Sequence, residues 1–121
     1  MNTKILAVDD SLTIRQSIKF SLEKGGYQVE TASSGSEALD TLKLGKVNLI
    51  ITDLHMDGMD GIELIKTIRS TTTHKFTPIL MLTTESSQDK ITEAKKAGAT
   101  GWIVKPFMPD KLVAVVEKVL K

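Results

Sequence analysis

Five short runs rich in aliphatic residues recur along this chain, and each is followed by a segment with helical spacing. The runs are KILAVD (4–9), YQVET (27–31), VNLIIT (47–52), PILMLT (78–83) and GWIVK (101–105). Each has the length of a strand. Three are nearly continuous in apolar residues, without the alternation of a half-exposed sheet, so they read as strands covered on both faces. Between them, Ile14, Ile18 and Leu22 fall at i, i+4, i+8. Ala38 and Leu42 repeat that spacing, and Ile62, Ile65 and Ile68 recur at threes. Five βα units of this length predict a parallel, doubly wound α/β sheet with five helices shared between its two faces.

The punctuation agrees with that layout. Ser11 stands where a helix N-cap is needed, and Gly25-Gly26 ends the first helix. Gly45 and Gly98 close the second and fourth helices. Pro109 opens the last one, where its missing N–H costs nothing. A length of 121 residues fits one domain, residues 1–121, with one core. There is no cysteine, so disulfides and thiolate metal sites are excluded, which fits a cytoplasmic location. No apolar stretch approaches the ~18 residues of a membrane span, and MNTKILAVDD reads as a first strand rather than a signal peptide. Sixteen basic and fifteen acidic residues leave a formal charge of +1, which gives no global field for nucleic acid.

In open α/β sheets, ligands bind beyond the carboxyl ends of the strands. Here those ends carry Asp9-Asp10, Asp53, Thr83-Thr84 and Lys105, while the second strand brings no charge. Three carboxylates in one crevice repel unless a cation sits among them. With hard oxygen donors and no Cys or clustered His, the natural cation is Mg²⁺, with Mn²⁺ as a substitute. A carboxylate beside such an ion can attack phosphorus to give an aspartyl phosphate. Lys105 and the Thr83 hydroxyl would then neutralise or hydrogen-bond the phosphoryl oxygens.

The set VDD, IITDLHMDGMDG, MLTTE and VKPF resembles the receiver domain of two-component response regulators. The single-domain layout and the run ILMLTTE…AGATGWIVKPF are most similar to the CheY type used in chemotaxis. The resemblance implies a flavodoxin-like fold with strand order 2-1-3-4-5. It implies Asp53 as phosphoacceptor and Mg²⁺ held by Asp10 and Asp53. Asp9 would assist through water, and the backbone carbonyl of His55 would be a further ligand. Thr83 and Lys105 would contact the phosphoryl group, with Thr83 and Trp102 as switch residues, and the Lys105–Pro106 peptide would be cis. The implied partners are a CheA-like histidine kinase, a flagellar switch protein or other effector, and a phosphatase, acting on a cytoplasmic monomer. Two positions depart from the family. Asp57 replaces the usual proline, predicting a looser loop with one more acid near the metal. Trp102 is bulkier than the usual Tyr or Phe.

Each residue alone has an ordinary explanation. Asp9-Asp10 could open a turn and cap a helix, Asp53 could precede a glycine-rich turn, Thr83 could be a plain β-former, and Lys105 a solvated surface residue. Their joint placement at the right strand ends is what argues for a site. His55 has no ligand partner at metal spacing, so its side chain should be exposed. His74, in the polar stretch STTTHK, is expected to have no role. Met56 and Met59 should pack the loop, and Lys90, Lys95, Lys96, Lys111 and Lys118 form either a docking face or a solvated one.

The leading function is therefore a phosphorylation-driven signalling switch. The alternative within the same class is a phosphorelay intermediate that passes its phosphoryl group to another histidine protein. A Mg²⁺-dependent phosphohydrolase of the haloacid dehalogenase type would carry a second acid where His55 stands. A flavodoxin would need a phosphate cradle where VDDSLT places two carboxylates.

Overall fold

Each of the first four helices starts where the chain supplies an oxygen for an unpaired backbone N–H. In the computed structural model, which describes residues 3–121, Ser11 caps α1 (Leu12–Lys24) and Ser34 caps α2 (Gly35–Leu44). Ser87 caps α4 (Gln88–Ala97). Asp60 caps α3 (Gly61–Arg69) in a capping box, its carboxylate accepting from Glu63 N–H while the Glu63 carboxylate accepts from Asp60 N–H. The last helix, α5 (Pro109–Leu120), has no side-chain cap and starts on proline.

The strands are β1 (Lys4–Val8), β2 (Gln28–Ala32), β3 (Leu49–Thr52), β4 (Ile79–Thr83) and β5 (Gly101–Val104). They form one parallel sheet in the order β2-β1-β3-β4-β5, as the sequence and its family resemblance predict. The three unbroken apolar runs are the inner strands, β1, β3 and β4, buried along nearly their whole length. The two runs with polar or open positions, β2 and β5, are the sheet edges, where one flank meets solvent.

Strand alternation splits the core in two. Ile5 and Ala7 of β1 point to the layer under α1 and α5, with Ile18, Leu22, Leu112 and Val116. Leu6 and Val8 point to the other layer, with Leu42 of α2, Ile62, Ile65 and Ile68 of α3, and Ala94 of α4. The apolar helix faces read from the sequence are thus the faces that cover the sheet.

All five strands shift at an end by one or two residues from the sequence reading, and the third run shows why. The predicted strand 47–52 is paired only from Leu49. The Val47 N–H goes instead to Nε2 of His74 at 3.2 Å, and the Asn48 N–H to the Lys4 carbonyl at 2.8 Å. The second run shifts to 28–32, because Gln28 is the residue opposite Lys4. His74 corrects a further expectation. Far from lacking a role, it is 2% exposed and ties the α3–β4 connection to the start of β3. Burial and nearby Lys46 hold its pKa below the ordinary histidine value, so the ring is neutral and able to accept that bond.

Candidate acidic site at the carboxyl edge of the sheet

Strand register places the acids side by side. Val8 pairs with Thr52, so the next residues, Asp9 and Asp53, leave adjacent strands at the same level, and the Asp53 N–H donates to the Val8 carbonyl at 3.0 Å. On the other flank Thr83 pairs with Val104, and the Lys105 N–H donates to the Thr83 carbonyl at 2.8 Å. Lys105 is thereby aimed at the acids across the top of β4.

Its ammonium lies between two carboxylates, 2.6 Å from Asp9 Oδ2 and 3.0 Å from Asp53 Oδ2. All three side chains are largely buried, with 11%, 2% and 11% of the Lys105, Asp9 and Asp53 side chains exposed. Burial by itself would lower the lysine pKa. Hydrogen bonds from the ammonium to Asp9 and Asp53 outweigh it, and the net direction is upward. The remaining oxygens are fixed by backbone. Asp9 Oδ1 accepts from Ser11 N–H at 2.9 Å, and Asp53 Oδ1 accepts from Leu54 N–H at 2.7 Å. Asp10 is exposed at the mouth. One carboxylate oxygen from each of Asp9, Asp10 and Asp53 falls within 4.8 Å of the others. An all-oxygen set this tight and this charged fits a small hard divalent cation.

The loop after Asp53 is held close by a glycine. A Cβ on Gly61 would stand 2.3 Å from the Asp53 carbonyl oxygen and 2.9 Å from Leu54 Cα, so only glycine lets α3 start against the end of β3. Gly61 N–H donates to the Leu54 carbonyl at 2.8 Å across that approach. Asp57 is exposed and lies outside the three-acid group, and Gly58 beside it takes φ of +77°. Asp60 is used as the helix cap. Met56 is buried, and Met59 packs against the core beside Gly35, so both methionines serve the loop.

Thr83 is fully buried at the end of β4, its Oγ1 accepting from Glu85 N–H at 3.3 Å. Trp102 of β5 packs on the layer under α3 and α4, and its Nε1–H donates to the Glu85 carbonyl at 2.9 Å. His55 is exposed, as expected, yet engaged: Nε2 lies 2.9 Å from Glu85 Oε1. That bond, with others from Ser87, holds the Glu85 carboxyl below the usual range. Glu85 therefore gathers His55, Trp102 and Thr83 around one loop. Sequence reasoning gave it no role, because the N–H and carbonyl that meet Thr83 and Trp102 are groups any residue type supplies, and the His55 that its carboxylate meets is distant along the chain. The Lys105–Pro106 peptide is cis. Arg69 was also missed. Its guanidinium reaches the carbonyls of Gly98, His74, Lys75 and Thr77 at 2.6–3.3 Å, tying the α3–β4 and α4–β5 connections together.

Comparison with known proteins gives this geometry a lineage. Residues 5–117 match the response regulator receiver domain. The chain is 40% identical to chemotaxis protein CheY-3 of Vibrio cholerae, over 99% of this chain and 93% of that protein. It is also 40% identical to chemotaxis protein CheY of Pseudomonas aeruginosa, over 98% and 96%. The solved structure of Vibrio cholerae CheY4 superposes with a TM-score of 0.96 at 48% identity, covering 99% of this chain and 100% of that one. The chain belongs to the response regulator receiver family and is CheY-like along its length.

Proposed function

We propose that this protein is a phosphorylation-activated switch in chemotaxis, with Asp53 as the phosphoacceptor, built as a single receiver unit over residues 1–121. The observation that carries this reading is the Lys105 ammonium held between Asp9 and Asp53. A fixed cation there orients the Asp53 carboxylate and stands ready for the charge that a phosphoryl group brings.

A carboxylate oxygen of Asp53 bonds to phosphorus as the phosphorus–nitrogen bond of a kinase phosphohistidine breaks, and the imidazole leaves with the bonding pair. Asp9, Asp10, Asp53 and the His55 carbonyl would hold Mg²⁺, or Mn²⁺ in its place, which supplies charge neutralisation at the phosphoryl oxygens when bound. Lys105 moves its ammonium from the Asp53 carboxylate to a phosphoryl oxygen. The Thr83 hydroxyl donates to another. Thr83 shares Glu85 with Trp102, so this movement reaches the surface of α4, β5 and α5 and shifts it between two states. Attack of water on phosphorus restores the carboxylate and releases phosphate. The protein is a switch, and this reset is the only turnover it performs.

The chemotaxis setting rests on relatives named as chemotaxis proteins. It makes a CheA-like histidine kinase the donor, a flagellar switch protein the effector and a phosphatase the reset factor, all in the cytoplasm, with the protein acting as a monomer. Among the described residues, no helix is long and apolar enough to cross a membrane. The test is direct. With Mg²⁺ and acetyl phosphate, intact mass should rise by one phosphoryl group, and Asp53→Asn should abolish the gain. Equal labelling of Asp53→Asn would overturn the assignment. Phosphoryl transfer onward to a histidine phosphotransferase, without binding to a flagellar switch protein, would replace the chemotaxis role with that of a relay intermediate.

A further inference from the structure

On the far side of the sheet from α1 and α5, α2 and the C-terminal half of α3 enclose a groove of about 560 Å³ that the phosphorylation chemistry does not use. Its walls include Leu39 and Leu42, and Lys43 and Lys46 stand at its rim. Among the described residues, neither lysine takes part in an ion pair. The volume is in the range of small-molecule sites.

The second observation lies in the lining. His74 is 2% exposed and lines this groove. Its Nε2 accepts the Val47 N–H, which in the neutral ring puts the proton on Nδ1. Among the described residues nothing accepts that proton, and no fully buried side-chain nitrogen is left without a partner. His74 is part of the groove lining, so its unpartnered Nδ1–H is the donor this wall offers a ligand. Thr67 and Thr71, also in the lining, spend their hydroxyl protons on the carbonyls of Glu63 and Ile68. The free donors are therefore His74, the two lysines and the exposed Thr73, all suited to an anion, beside a wall of two leucines.

We infer that this groove binds a small organic anion with a short apolar body, its carboxylate received by His74 Nδ1–H and the ammonium groups of Lys43 and Lys46. A donor held in place by packing loses little freedom on binding, and two unpaired cations at the rim favour one sign of charge. An inorganic anion would leave the leucine wall wet, and a neutral amphiphile would leave the lysines unanswered.

The experiment titrates the full chain with sodium octanoate, following amide and imidazole ¹⁵N resonances, with octanamide and inorganic phosphate as comparison ligands. Octanoate should give saturable shifts at residues 67–74 and at His74 Nδ1. Octanamide and phosphate should each bind on the order of tenfold more weakly, as should octanoate to the Lys43→Glu/Lys46→Glu variant. Both lysines are exposed, so that variant should fold normally, which its amide spectrum reports directly. Shifts that fail to saturate, that map elsewhere, or that are equally strong with octanamide, with phosphate or in the lysine variant would each overturn the inference. Acetyl phosphate labelling of Asp53 should be intact in that variant, so loss of this site and loss of the phosphoacceptor are told apart.

Discussion

Lys105 is the residue on which the acidic site turns. Its ammonium answers two carboxylates at once, and its pKa is raised in the folded protein despite partial burial. A raised folded pKa contributes stability that is fully present below the ordinary lysine value of 10.5 and lost as pH climbs through the folded value. Denaturant midpoints measured from pH 8 upward should therefore fall above about 10 in the native protein, and Lys105→Met should flatten that fall. The same variant removes a charge aimed at the phosphoryl oxygens. Its labelling by acetyl phosphate should slow by about two to three orders of magnitude, the usual cost of one such donor. Asp9 and Asp53 are each held at both oxygens, one by a backbone N–H and the other by Lys105, so the ammonium fixes the two carboxylates relative to each other.

At the scale of elements, the site depends on where α3 begins and where it ends. Its first residue, Gly61, touches the backbone that carries Asp53, and Gly61→Ala would drive a methyl into that carbonyl. Relief requires the β3–α3 loop to move, so a loss of about 1–3 kcal/mol is expected, read from urea unfolding, together with slower Asp53 labelling. At the other end Arg69 donates to four carbonyls in two separate connections. Arg69→Ala would leave partly buried carbonyls unmatched and should cost about 3 kcal/mol in the same measurement, while leaving Asp53 labelling of the folded fraction unchanged. Together the two variants separate the end of α3 that shapes the site from the end that only secures the fold.

The whole molecule is expected to move between two states, and Trp102, its only tryptophan, reports on that exchange. Its indole is tied to the Glu85 carbonyl in a loop that also holds Thr83. Beryllium fluoride with Mg²⁺ should change the tryptophan emission, and Asp53→Asn should leave it unchanged; a silent spectrum at proven occupancy would remove Trp102 from the switch. What the sequence determined by itself was the alternation of strands and helices and the gathering of three acids and a lysine at one sheet edge. Strand length, helical period and caps are local properties, and the ends of parallel strands must share one edge, so Asp9, Asp10, Asp53 and Lys105 could be grouped before any coordinates. What only the tertiary structure decided were the contacts made through backbone atoms and close packing. His74 read as an idle loop residue because nothing near it in sequence needs a proton acceptor, and its partner Val47 lies on the far side of α3. Arg69 was silent for the same reason, since it meets only carbonyls, which every residue carries, and Glu85 because its partners Thr83, Trp102 and His55 are brought to it only by the folded path of the chain.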